Sequence, residues 1–155
     1  MHETSLDMIE QDIELLSFRV KEQEYCVDIM SVREIRGWTK ATPLPFSPPH
    51  VKGVINLRGT VLPVVDLSRR LGMEETEGLD RNVIIVVTLN GNLAGLLVDA
   101  VSDILTIPRN EMMAPPDIGL DPSARYVDGL LLVEDKLIRV LDLASVLPRE
   151  SRDVA

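Results

Sequence analysis

Aromatic side chains, cysteines and histidines are all scarce in this sequence, and each shortage excludes something. Phe, Tyr and Trp make up 3% of the 155 residues, whereas apolar residues make up 45%, so a core must be built from Val, Leu, Ile and Met. The single cysteine, Cys26, cannot form an intramolecular disulfide, and a lone thiol is typical of a reducing compartment. With two histidines and one cysteine in no ligand spacing, the sequence predicts no metal site.

Basic clusters and long apolar runs are also missing. The net charge is −9, and nucleic acids are held by basic clusters, so the sequence predicts no nucleic-acid binding. The same sign disfavours an anionic membrane surface. The longest apolar runs reach about five residues, far short of a membrane span, and residues 1–16 are acidic and unlike a signal peptide. We therefore expect a cytoplasmic protein with no direct membrane contact.

The chain repeats itself internally. Residues 51–71 (VKGVINLRGTVLPVVDLSRRL) align without a gap with residues 127–147 (VDGLLLVEDKLIRVLDLASVL), at an offset of 76 positions. Residues 26–35 (CVDIMSVREI) align with residues 95–104 (GLLVDAVSDI), at an offset of 69 positions. Two copies of this length indicate a tandem pair of related units, not a solenoid.

Each copy has the pattern of a small all-β unit. It begins with a hairpin, which turns at 21–24 in copy one and at Asn90-Gly91-Asn92 in copy two. A polar crossing, a proline-rich loop and a second hairpin follow, and a short helix ends the copy, with Asp66 or Asp142 at the expected N-cap. Five short strands per copy predict two small barrels packed together.

The predicted domain boundaries follow from this reading. Residues 15–72 form the first barrel, 73–82 an exposed linker, 83–148 the second barrel and 149–155 a C-terminal tail. Residues 1–14 are either a tail or a short docking helix, because Leu6, Ile9, Ile13 and Leu16 have helical spacing.

No residue pattern indicates catalysis or a bound cofactor. Cys26 has the surroundings of a buried structural cysteine, and the glycines follow no phosphate-binding motif. Arg58 stands beside Gly59 at a predicted hairpin tip. From the residues alone it is either an ordinary surface arginine, which is the commoner case, or an anchor that grips a partner. Glu34 is open to the same two interpretations.

Four segments together resemble the CheW-type chemotaxis coupling proteins over about residues 15–147, and the NLRG-x-x-x-P-V-x-DL stretch is highly specific for that family. The segments are VDIMSVREI (27–35), VKGVINLRGTVLPVVDLSRRLG (51–72), LAGLLVDAVSDIL (93–105) and GLLLVEDKLIRVLDLASVL (129–147). The resemblance implies two five-stranded SH3-like β-barrels and no enzymatic activity. It also implies an adaptor between chemoreceptor cytoplasmic tips and the regulatory domain of a CheA-type histidine kinase, with possible ring assembly.

The resemblance also implies a partner-binding set. Glu34 and Arg58 resemble positions tied to receptor and kinase coupling, and Val32 and Ile35 flank Glu34. Val98 and Val101 of the second barrel resemble positions that meet a receptor tip. Two alternatives stay open: a coupling protein of a non-swimming array that controls pili or development, and a small-molecule-binding barrel.

Overall fold

The computed structural model describes residues 12–115 and 122–147 of the chain. Within these ranges the secondary structure is mostly β-strand, with loops and short helices between the strands. The strands are β1 (Asp12–Val20), β2 (Gln23–Asp28), β3 (Val32–Gly37), β4 (Val51–Leu57), β5 (Thr60–Asp66), β6 (Val83–Leu89), β7 (Asn92–Val98), β8 (Ala100–Pro108), β9 (Val127–Val133) and β10 (Lys136–Leu141). The helices are α1 (Leu67–Arg70), α2 (Leu143–Val146) and 3₁₀ helices at Ile29–Ser31, Arg109–Glu111 and Pro122–Tyr126.

The strands form two five-stranded sheets of identical design. One sheet has the order β3-β6-β7-β5-β4 and is called the middle barrel, because its strands are consecutive in the chain. The other has the order β8-β1-β2-β10-β9 and is called the terminal barrel. When each strand is replaced by its repeat equivalent, one order becomes the other. The expected fold class, two five-stranded barrels with short helices, is therefore confirmed.

The domain boundaries read from the sequence do not separate these two barrels. The middle barrel uses residues 32–98, and the terminal barrel combines β1 and β2 with the last three strands. Each barrel thus combines the first hairpin of one copy of the repeat with the last three strands of the other copy. The divisions at 15–72 and 83–148 are corrected to a middle unit nested within a terminal one.

Each barrel is closed at its two edge strands by the same backbone bridge. Thr42, which follows β3, exchanges two backbone hydrogen bonds with Val54 of β4, at 2.8 and 2.9 Å. Met113, which follows β8, does the same with Leu130 of β9. Gly53 lies at the first closure, where an added Cβ would meet the Thr42 carbonyl oxygen at 2.1 Å. The recurring glycine of the repeat therefore permits the edges to approach.

The largest core lies between the barrels and is shared by them. The β1–β2 and β6–β7 hairpins are buried on both faces, which explains the continuous apolar run of β6. Along β6, Ile85 and Val87 pack in the shared core, whereas Ile84 and Val86 pack inside the middle barrel. A separate cluster that includes Cys26 fills the terminal barrel. Burial of both hairpins joins the two barrels firmly.

The short helices follow the two equivalent aspartates, but only one aspartate caps its helix. The Asp142 side chain accepts a hydrogen bond from the Ala144 N–H at 3.1 Å, as an N-cap does. Asp66 makes no capping hydrogen bond, and its Oδ2 instead accepts from the Thr76 N–H at 2.8 Å. Asp66 therefore stands at the expected N-cap position, but its side chain does not cap the helix.

Most of residues 73–82 are exposed, as the sequence predicts for a linker, but the segment is also anchored as a strap on the middle barrel. Thr76 and Asn82 are buried, and Gly78 lies against the ring of Trp38. At the N-terminus, Ile13 and Leu16 lie in strand β1, so a helix cannot continue through them. The rest of the predicted 1–14 segment, and the 149–155 tail, lie outside the described residues.

Candidate functional site: a protein-binding surface

Glu34 and Arg58, predicted separately from the sequence, meet at the closure of the middle barrel. Glu34 lies on edge strand β3, and Arg58 lies in the turn that follows the other edge strand, β4. The Arg58 Nη2 donates to Glu34 Oε1 at 2.5 Å. The Arg36 Nη1 donates to the second carboxylate oxygen, Oε2, at 3.2 Å. The carboxylate is thus bracketed by two guanidinium groups, and we call these three residues the charge cluster.

Local backbone geometry fixes the direction of Arg58. The two-residue turn between β4 and β5 places Arg58 at φ 51° and Gly59 at φ 89°. Positive φ at both positions matches the twist of a tight hairpin, and the Asn56 side chain accepts the Gly59 N–H at 2.8 Å. The turn therefore holds Arg58 at the end of the β4–β5 hairpin, where 70% of its side chain is exposed.

The electrostatics of the cluster hold both partners in their charged forms. Hydrogen bonds from Arg58 and then Arg36 lower the pKa of Glu34 below its ordinary value. The same hydrogen bond raises the pKa of Arg58. Because the pair is open to water, its Coulomb attraction adds little to folding stability. Its charges are instead available to an approaching protein.

Ile35 is exposed but faces a different direction from the charge cluster. Successive strand residues point to opposite faces, so Ile35 lies opposite Glu34 and Arg36. Its side chain is 48% exposed. Val32 is half-buried and packs against the shared core beside the strand's irregularity between Val32 and Glu34. Strand β3 therefore offers a charged surface and an apolar surface.

The structure separates the two candidates of the second copy. Val101 is half-buried, packs against the shared core and is the repeat equivalent of Val32. Val98 is only 1% exposed and lies within that core at the end of β7. Its side chain therefore supports the surface from beneath and is not available to a partner, so Val98 is removed from the direct contact set.

One exposed apolar pair was not identified from the sequence. Leu132 and Leu137 are directly opposed on β9 and β10, with exposures of 60% and 43%. Their neighbours Leu131 and Ile138 are buried inside the terminal barrel. The alternation of the two strands was the available signal, because it places residues 132 and 137 on the outer face.

Among the described residues, catalysis would most often need a nucleophile or a metal site. Burial raises the pKa of the Cys26 thiol to about 12, so it is a thiol and not a nucleophilic thiolate. Within 12–115 and 122–147, no group of three or more His, Cys, Asp or Glu side chains is arranged to hold a metal ion. Over the same residues, no helix is long and apolar enough to cross a membrane.

Two closed barrels with exposed charged and apolar side chains at their edges define a β-scaffold of the protein-binding class. Comparisons identify the family. Residues 14–151 match the CheW-like domain, and the chain belongs to that family. It is 53% identical over 142 residues to "Chemotaxis protein CheW" of Rhizobium meliloti, covering 92% of each chain.

More distant relatives carry the same name or fold. The chain is 32% identical over 141 residues to "Chemotaxis protein CheW" of Bacillus subtilis, covering 91% of this chain and 90% of that one. Among solved structures, it is similar to the scaffolding protein TtCheW from Thermoanaerobacter tengcongensis. The TM-score is 0.81, with 30% identity and 91% coverage of each chain. The family is thus one of chemotaxis coupling scaffolds.

Proposed function

We propose that this chain couples chemoreceptor cytoplasmic tips to the regulatory domain of a CheA-type histidine kinase, without catalysing a reaction. The observation that carries the proposal is the charge cluster, in which the exposed Arg58 pairs with the partly buried Glu34 at the barrel closure. Family membership supplies the biological setting. The proposal places the protein in the cytoplasm, where Cys26 would remain a thiol.

The charge cluster suits a kinase contact. Arginine is enriched at interface hot spots because its planar guanidinium donates several hydrogen bonds at once. Arg58 already has its backbone fixed by the turn, so less conformational freedom is lost when a partner binds. Arg36 holds the other oxygen of Glu34, which keeps the carboxylate in place if Arg58 turns towards a partner.

The receptor contact would use the apolar positions near the shared core. Val32 and Val101 are repeat equivalents packed against that core, so both lie along the seam between the barrels. Ile35 adds an exposed apolar side chain on β3. A helical hairpin can lay its apolar face along such a seam.

The two barrels also suit pseudo-symmetric pairing with a second CheW-like domain. The barrels share one strand order but carry different surfaces: the charge cluster in the middle barrel and the exposed Leu132–Leu137 pair in the terminal barrel. A middle-to-terminal contact between two such domains is head-to-tail, and head-to-tail contacts generate rings when the rotation closes. We propose ring assembly on this basis.

The test is titration calorimetry of the full chain against the regulatory domain of its cognate kinase. Arg58→Glu should weaken binding about tenfold, as expected of a hot spot. Lys40→Glu is the matched control, because Lys40 is an exposed cation of the same barrel outside the cluster. Circular dichroism should show both variants folded.

A charge exchange separates contact from scaffold stability. The double variant Glu34→Arg with Arg58→Glu restores an ion pair but reverses its polarity. Binding should stay weak, because the partner reads the polarity of the exposed charges. Unchanged affinity of folded Arg58→Glu would remove the cluster from the kinase interface.

A further inference from the structure

The strap occupies a defined site on the middle barrel. Lys52 Nζ donates to the Thr76 carbonyl oxygen at 2.7 Å and to Glu75 Oε2 at 3.0 Å. The Asp66 carboxylate accepts from the Thr76 N–H, and Ser68 Oγ donates to the Glu74 carbonyl oxygen. The chain segment after α1 therefore returns across the barrel and is gripped by three side chains, those of residues 52, 66 and 68.

The equivalent place on the terminal barrel is an open cleft. By the offset of 76, the three gripping positions correspond to Asp128, Asp142 and Ala144, and all three line a cleft of about 270 Å³. Its floor includes apolar side chains from β1, β10 and α2. These are Ile13, Leu15, Val140, Leu141 and Leu143. The cleft thus corresponds in the fold to a site that already binds an extended segment of this chain.

The charge of the cleft is opposite to that of the strap site. In the middle barrel a cation, Lys52, faces an acidic strap. In the terminal barrel Asp128 takes the lysine's position and stands with Asp28 and Asp142, against the single cation Arg109 of the lining. An occupant of this cleft should therefore present a basic side chain where the strap presents an acidic one.

The segment after α2 has a basic side chain one position from the match. Residues 148–155 read PRESRDVA, in which Ser151 corresponds to the acidic Glu75 of the strap and Arg152 is the next residue. We propose that the tail, residues 149–155, folds back into the cleft of the terminal barrel, with the Arg152 guanidinium paired to the Asp128 carboxylate. The tail then occupies the site on the terminal barrel that is equivalent to the one the strap occupies on the middle barrel.

The two segments must leave their helices by different routes. After α1, Gly72 turns the chain at φ 89°. Pro148 stands at the equivalent position, and its φ is fixed near −65°, so the same turn cannot form. Leu147 accordingly ends α2 in an extended conformation, with ψ 152°. Seven further residues can span roughly 24 Å, several times the roughly 6 Å length of the four-residue helix α2, so the tail can still reach the cleft.

The test is paramagnetic relaxation on the full chain. Val154→Cys takes a nitroxide label selectively, because Cys26 is buried with a pKa of about 12. The proposal requires strong broadening of the Asp128 and Ala144 amide signals. The internal control is the equivalent pair in the middle barrel, Lys52 and Ser68, whose site the strap fills; their signals should be broadened less.

Charge variants and an isotope mixture make the test decisive. Asp128→Lys should abolish the broadening and Asp128→Glu should keep it; Asp128 is exposed, so both variants should fold. Equal broadening at both barrels would overturn the proposal. So would equally strong broadening of unlabelled ¹⁵N protein mixed with labelled ¹⁴N protein, since the occupant would then be the tail of a second copy.

Discussion

The two barrels of this protein have one design but differ at the edges that close them. In the middle barrel, positions 34 and 58 carry opposite charges and form an ion pair. Their equivalents in the terminal barrel, Asp103 and Glu134, are both acidic. The outer face of the hairpin also differs, because Leu132 of the terminal barrel replaces the polar Asn56 of the middle one. A shared fold thus presents a charged surface at one end and an apolar surface at the other.

This difference matters for an adaptor. Two identical barrels would offer each partner two equal sites and could not set its orientation. Two barrels with distinct edges give each partner one preferred end, because specificity is the difference between two affinities. The shared core then holds the two ends in a fixed relation.

The largest expected difference between the barrels concerns their closure glycines. Gly53→Ala should lower the free energy of unfolding by about 3 kcal/mol, because its Cβ would overlap the backbone oxygen of Thr42 and its φ is 145°. Gly129→Ala should cost about 1 kcal/mol, since the nearest atoms belong to the flexible side chain of Met112. Urea denaturation measures both. Equal losses would show that the two closures are equally tight.

A smaller difference is expected at the two aspartates that precede the helices. Asp66→Ala leaves the buried Thr76 N–H without its acceptor and should cost about 2 kcal/mol. Asp142→Ala removes a helix cap and should cost about 1 kcal/mol. Hydrogen exchange distinguishes the mechanisms: the Thr76 amide should exchange faster only in the Asp66 variant. Faster exchange in both would mean that the strap depends on the terminal barrel.

The repeat predicts most of this fold. Its aligned positions identify the hairpins, the turns at Arg58-Gly59 and Asn90-Gly91, and the recurring glycines. It cannot predict which copy's hairpin enters which barrel. Val64 pairs with Gly95, and Val140 pairs with Cys26, so the two parallel pairings join repeat-equivalent positions. A sheet built from the five strands of one copy would bury the same apolar faces. The sequence pattern therefore does not distinguish that arrangement from the one in the structure, in which the copies exchange their first hairpins.

The candidate site was predicted only in part, for a related reason. The resemblance supplied Glu34 and Arg58 as separate positions. Their contact depends on closure of the barrel, which brings together two residues that are 24 positions apart in the sequence. The resemblance supplied Val98 as well, and the sequence of β7 could not show that it is buried, because a strand buried on both faces has no polar alternation to show which residues point inward. Contact between distant positions and burial on two faces are the features that local patterns do not encode.

The smallest expected effect is electrostatic and concerns the ion pair that distinguishes the middle barrel from the terminal one. The pKa of Glu34 is lowered by Arg58, so Arg58→Gln should raise it towards its ordinary value, which a carbon-detected NMR titration of the carboxyl group would follow. Because the folded pKa lies below the unfolded one, the small stabilisation from the pair is present above the unfolded pKa. It is lost as the pH falls through the folded pKa. The variant should therefore melt with the parent protein in acid and differ slightly near neutral pH, where Glu34 is ionised.

Glu134→Arg provides the reciprocal test in the terminal barrel. It places a cation at the equivalent turn, opposite Asp103, and should leave thermal stability almost unchanged because exposed ion pairs contribute little. What it should change is partner choice: the terminal barrel would acquire the charge pattern of the middle one. Kinase binding measured by calorimetry should then show a weak second site. A single site of unaltered affinity would mean that the charges alone do not distinguish the two ends, and that the Leu132–Leu137 surface does.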